Sequence, residues 1–227
     1  LALSLNRKNI TEHILQGGHT VAKSLVPPEM GLSGKGYFRD DYQEMAHSLL
    51  MDALQELELK LEEMEPITIS YGTNERNAAI AQAVQQQWEK SLGIKVELEA
   101  VDLKVFFQKI SQRQYQLAAG SWTADFNDPI NFLEVFKYKE ASSNNTNWEN
   151  PKYIDLLNQS ALCRNSEERK GLLREAEQIL LEHMPIIPLF HFAMNYLQCE
   201  GLEEVALSPL GQVDFRWANM NFLDEKR

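Results

Sequence analysis

The chain has 227 residues, 44% of them hydrophobic, and a formal net charge of -11. That size and composition suit a globular fold that needs neither disulfides nor metals to hold its core. Acidic groups spread along the chain exclude nucleic acid as a partner and disfavour an anionic membrane surface, and no run of about 18 apolar residues offers a membrane-spanning helix.

In chain order, Leu1, Leu5, Ile10 and Ile14 fall near helical spacing and predict a helix that Gly17 and Gly18 terminate. The chain opens inside this helix with no signal peptide, as expected of a fragment of a longer protein. Val26-Pro27-Pro28 through Gly36 reads as a loop. Asp40 or Asp41 is expected to cap the next helix, whose apolar face is Ala46, Leu49, Leu50, Ala53 and Leu54. The acidic run Glu58 to Glu65 either extends that helix or forms a separate turn, and Pro66 stops either one. Alternation then predicts a strand at Ile67 to Tyr71, a helix over Asn77 to Ser91, a second strand from Ile94 and a helix over Val105 to Arg113. A third strand from Tyr115 leads into Gly120-Ser121-Trp122. This order of strands and helices indicates an α/β domain.

Beyond a long loop from Thr123 to Asn150, with an apolar segment at Ile130 to Phe136, helices are expected over Pro151 to Leu162 and after Asn165, an N-cap paired with Glu168. Ile186 to Leu197 reads as extended, and the tail from Leu207 as irregular with one extended piece at Asp214 to Trp217.

Chemistry-bearing motifs are sparse. His13, His19, His47, His183 and His191 show no metal-ligand spacing, and Cys163 and Cys199 sit in no zinc motif; pairing and two free thiols both stay open for them. Gly31-Leu32-Ser33-Gly34-Lys35-Gly36 lacks the spacing of a phosphate loop. No nucleophile with a base partner is visible, so no enzyme activity, cofactor or metal is expected. The informative stretch is Ser121-Trp122-Thr123-Ala124-Asp125-Phe126-Asn127-Asp128-Pro129, where a strand gives way to a polar loop. Ligands of open α/β sheets bind beyond the C-terminal ends of strands. An acid there can hold an ammonium group, and a neighbouring Trp can supply an apolar wall.

With these residues in view, the chain resembles the oligopeptide- and dipeptide-binding proteins of bacterial ABC importers. The resemblance rests on Ala2 to Ile10, Val26-Pro27-Pro28, Ile67 to Asn74 with Trp88 and Leu92-Gly93-Ile94, and Trp122 to Pro129. It continues through Ser143-Asn144-Asn145-Thr146, Asn150-Pro151-Lys152-Tyr153 and Met184 to Leu189. It implies a periplasmic-binding-protein-like lobe with a mixed sheet flanked by helices, the C-terminal half of a two-lobed protein. Residues 1–35 would link to an N-terminal lobe missing from this chain, 36–200 would form the ligand-binding lobe, and 201–227 would return toward the missing lobe. The implied function is peptide capture for a membrane permease, by a periplasmic or membrane-anchored extracytoplasmic lipoprotein. An interaction or chaperone-like domain on the same fold is the alternative. By resemblance, Asp125 binds the peptide amino group, and backbone groups around Ser121 and Thr123 pair with the peptide. Trp122 would line a side-chain pocket, and Asn144 and Asn145 would hydrogen-bond the ligand. Several family members place an Arg three residues before the Trp, for the peptide carboxylate. Here that position is Ala119, and the nearest Arg is Arg113.

Overall fold

A computed structural model describes residues 1–32, 35–208 and 210–221; Ser33 and Gly34 of the glycine-rich stretch and the last six residues of the tail lie outside the described residues. Its centre is a three-stranded parallel sheet of β2 (Ile67–Gly72), β3 (Val96–Val101) and β4 (Leu117–Ala118), in the order β3-β2-β4. Ile67 pairs with Val96 through Gly72 with Val101, and Ile69 and Ser70 pair with Leu117 and Ala118. Parallel neighbours need crossovers. Helix α3 (Glu75–Leu92) links β2 to β3, and α4 (Leu103–Ser111) links β3 to β4. The expected strand–helix order is present, with the third strand reduced to a short ladder that Ala119 N–H extends by one bond to Ser70 O at 2.9 Å. Antiparallel pairing occurs in separate two-stranded pieces. These are β1 (Thr20–Val21) with β5 (Phe190–His191), β6 (Leu202–Glu203) with β9 (Asn219–Met220), and β7 (Ala206–Leu207) with β8 (Val213–Asp214).

Two apolar cores form. In the first, Ile69 and Tyr71 on one face of β2 meet Ala81, Val84 and Trp88 of α3, with Leu5 and Ile10 beneath. The sequence is local in its logic here. Asn74 caps α3 by accepting Asn77 N–H at 2.8 Å, Gly93 ends it with φ of 70°, and the buried residues recur at helical spacing. In the second, Phe132 and Leu133 of the short helix α5 (Ile130–Leu133) pack with Tyr153 and Leu157 of α6 (Pro151–Leu162). Leu173, Ala176 and Leu180 of α7 (Ser166–His183) complete that cluster. Asn150 and Asn165 cap α6 and α7 with their side chains.

The opening segment differs from the single helix its periodicity predicts. A 3-10 turn at Ala2–Ser4 is followed by an extended Leu5, and only then by α1 (Arg7–Asn9), which continues as a π-helical stretch to Leu15. The break lets Arg7 turn fully into the interior. Its Nη1 donates to Asp40 Oδ1 at 2.7 Å and Ala2 O at 3.0 Å, its Nε donates to Pro188 O at 2.6 Å, and the guanidinium lies 4.6 Å from the Phe38 ring centroid. Desolvation lowers the Arg7 pKa against the pull of Asp40, yet so basic a group stays charged. Asp40 is therefore engaged and does not cap α2 (Gln43–Glu56). Nor does Asp41, which accepts from Asn6 and Gln43 side chains; Tyr42 holds the cap position with no side-chain bond. The acidic run beyond α2 forms a separate 3-10 turn at Leu61–Glu63. Cys163 and Cys199 are free thiols, and of the extended stretch from Ile186 only Phe190–His191 enters a ladder.

Among the described residues, Glu177 on α7 is the other buried charge. Its Oε1 accepts Val26 N–H at 2.7 Å and ties the Pro-rich loop to the helix. Burial pushes its carboxyl above the ordinary value, against hydrogen bonds from Val26, Tyr37 and Leu25 that favour the ionised form.

Two consequences are measurable. Asp40→Ala leaves Arg7 buried and uncompensated and should lower the unfolding free energy in urea by about 3 kcal/mol, whereas a loss under about 1 kcal/mol would class the pair with ordinary surface pairs. For Glu177, a folded pKa above the unfolded one means its stabilising contribution is full below the unfolded value and is lost as pH rises through the folded value. Wild-type stability should thus decline relative to Glu177→Gln as pH rises above the ordinary carboxylate range, and parallel curves for the two proteins would contradict this.

Candidate functional site

Because β2, β3 and β4 are parallel, their C-terminal ends share one edge, and β2 lies between the other two. The crossover by α3 runs to one side of β2 and the connection through α4 returns to the other. Open α/β sheets bind ligands beyond the strand ends at such a reversal. The stretch after β4 emerges there. Ser121, Trp122 and Thr123 are exposed, Ala124 is buried, and Asp125 is exposed again. Among the described residues, the backbone groups of Ser121, Trp122 and Thr123 make no backbone hydrogen bond. A stretch of free N–H and C=O groups is a template for an added strand. Trp122, 38% exposed, stands beside this template.

What holds so bare a segment is polar. Asn131, on α5 and almost wholly buried, presents one oxygen to two donors: the Trp122 indole N–H at 3.3 Å and the Asp125 backbone N–H at 3.1 Å. Asp128 Oδ1 accepts Ile130 N–H at 2.9 Å at the start of α5, and both its oxygens receive Arg169 of α7 at 2.8 and 2.9 Å. Partial burial works against ionisation of Asp128, but the Arg169 bonds, the Ile130 N–H and the Arg169 charge outweigh it and hold the carboxyl below its ordinary value. Asp128 is thus a brace facing α7. Asp125, by contrast, offers its side chain to solvent.

The asparagine loop is held by bonds of its own. Asn144 is 1% exposed. Its Nδ2 donates to Tyr138 O and Trp148 O, and its Oδ1 accepts from Thr146 N–H and Oγ1. Those four bonds build the loop and engage both ends of the Asn144 amide. Asn145 is half-buried, and its carbonyl accepts the Tyr115 hydroxyl at 2.5 Å. Tyr115 precedes β4 while Ser121 follows it, and six extended residues span about 20 Å. Arg113 is occupied at that same end, donating to Asn147 Oδ1, Asn144 O and Lys139 O. It therefore does not substitute for the basic residue replaced by Ala119.

Sequence reasoning missed Asn131 and Asp128 as the groups that shape the loop. A signal existed: Asn131 interrupts the apolar run Ile130 to Phe136, and a polar residue buried in such a run needs a partner. A second depression lies on the polar face of the sheet, lined by Thr68, Ser70, Glu97, Glu99, Lys109 and Tyr115. Two of its charges, Lys109 and Glu99, pair with each other. Lys109 bonds both oxygens of Glu99, Ser70 Oγ donates to Glu99 at 2.5 Å, and these contacts, Lys109 first, hold the Glu99 carboxyl low. Among the described residues, no three His, Cys, Asp or Glu side chains cluster as a metal site, and no helix is long and apolar enough to cross a membrane.

Comparison with known proteins places this geometry. The family model described as bacterial extracellular solute-binding proteins, family 5 Middle, matches residues 1–144. The oligopeptide-binding protein OppA of Bacillus subtilis (strain 168) is 39% identical over 220 residues, and the dipeptide-binding protein DppE of the same organism is 28% identical over 225. These alignments cover 95% and 97% of this chain but only 40% and 41% of those proteins. The crystal structure of Haemophilus influenzae OppA in complex with RPPGFSPFR superposes with a TM-score of 0.77 at 26% identity, covering 84% of this chain and 38% of that one. The chain belongs to the bacterial extracellular solute-binding proteins, family 5.

Proposed function

We propose that this chain supplies one lobe of a peptide-capturing, non-catalytic component of an ABC importer. The observation that carries the reading is the exposed, unpaired backbone of Ser121 to Thr123, ending at the open carboxylate of Asp125. A peptide laid along it gains main-chain hydrogen bonds indifferent to side-chain identity. Its ammonium group meets Asp125, and Trp122 walls one side-chain position. Asn144 contributes by shaping its loop, and Asn145 lies within reach only of a ligand that extends along β4.

One lobe covers one side of such a ligand, and small-molecule sites bury most of the ligand's surface. The reading therefore requires a second lobe in the same protein. Residues 36–200 are the ligand-facing lobe, 1–35 its link to the other, and 201–227 a return segment. Support comes from the exposed apolar side chains of the later part of the chain. Met194, Tyr196, Leu197, Phe215 and Trp217 are each more than 60% exposed, a pattern that marks a surface awaiting a partner. The membrane permease would receive the ligand-loaded form, outside the cytoplasm, whether in a periplasm or on a lipid anchor. One observation favours the alternative of an interaction or chaperone-like domain: Ala119 and the engaged Arg113 leave the peptide carboxylate without the basic partner that the resemblance leads one to expect.

In the longer protein that carries both lobes, Asp125→Asn should weaken binding of free-amino peptides by about 2–5 kcal/mol and leave N-acetylated peptides nearly unchanged. Isothermal titration of matched peptide pairs measures this, and equal losses for both would remove Asp125 from the amino-group role.

A further inference from the structure

We infer that Asn131 is the positioning residue of the binding loop, setting the Trp122 ring and the Asp125 backbone in one geometry before any ligand arrives. The inference rests on the proposed function only in taking that loop as ligand-facing.

Three observations carry it. A side-chain amide oxygen has two lone pairs, and Asn131 Oδ1 uses both, one on each side of the loop residue Thr123. The loop has little else: its central residues lack backbone bonds and more than a third of its tryptophan is exposed. Asn131 itself is anchored firmly enough to act as a reference point. It sits on α5 between Ile130, whose N–H is held by Asp128, and the buried Phe132 and Leu133, where the Tyr153 hydroxyl donates to Leu133 O at 2.7 Å. Asp128 is in turn clamped to α7 by Arg169. Rigid packing in the helical core is thereby transmitted to an exposed binding edge through one oxygen. Ordering a free segment on binding costs conformational entropy, and a loop already ordered avoids that cost for every ligand. Asn131 should therefore set affinity for all peptides alike, whereas Asp125 discriminates by the amino terminus.

The test starts without ligand. In the nitrogen-labelled chain, the Trp122 indole signal is identified among the four tryptophans by its loss in Trp122→Phe. Hydrogen exchange at the Trp122 indole and the Asp125 amide should be about tenfold slower than in Asn131→Leu, which keeps the branched outline and removes the acceptor. Asn131→Asp, which keeps an acceptor oxygen, should retain the protection. Unprotected exchange at both sites in the wild-type chain overturns the inference, and needs no variant to fold. Folded Asn131→Leu with both signals unmoved overturns it equally. In the two-lobed protein, Asn131→Leu should weaken free-amino and N-acetylated peptides by the same factor, with recovery in Asn131→Asp. Unchanged affinity in Asn131→Leu would overturn the positioning role. Protected exchange in a wild type that binds no peptide would sink the proposed function instead, while leaving Asn131 as the loop's anchor.

Discussion

An exposed segment without secondary structure keeps one shape only when side chains supply the bonds its backbone lacks. Asp128 and Asn131 meet that requirement here. The bidentate Arg169–Asp128 pair fastens the start of α5 to α7, and Asn131 carries the constraint forward to Trp122 and Asp125. Half-buried, geometrically matched and charge-assisted, the Arg169–Asp128 contact belongs with the stronger polar interactions rather than with exposed ion pairs. Without it, α5 would keep its apolar contacts and the Tyr153 bond to Leu133 O but would lose its tie to α7.

The same loop spans the two cores. Ala119 packs against the sheet cluster, and Ala124 lies inside the helical one. Four residues, Gly120 to Thr123, therefore cross between independently packed bodies. The backbone polar groups of Ser121 to Thr123 are left without backbone partners among the described residues. Small alanines at the two anchor points allow this approach where larger side chains would force the chain outward. The shape of this loop thus depends on how the sheet and the helical cluster are joined.

Local signals in the sequence account for much of this. The α6 limits follow from Asn150 and Pro151 at its start, and β2, α3 and β3 follow from alternation, an apolar helical face and Gly93. The Trp122 to Asp125 stretch stands out by its residue types alone. What escaped was non-local. Asp40 looks like a helix cap until Arg7, 33 residues away, claims it. Asn144 looks like a ligand group in a polar loop, yet its side chain closes that loop on Tyr138 and Trp148. The apolar stretch from Ile186 promises a long strand, but only Phe190 and His191 find a pairing partner, in β1. In each case the residue type was readable and its partner was not.

The most direct check of the ligand edge is a chemical-shift titration of the labelled chain with a mixed tri- to pentapeptide pool, since even millimolar binding perturbs backbone signals. The account predicts shifts centred on Ala119 to Asp125 together with the Trp122 indole, while the Asn144 side-chain amide stays still. Shifts centred on Ser70, Glu99 and Lys109 in the polar depression, with the Ser121 to Asp125 signals silent, would contradict it.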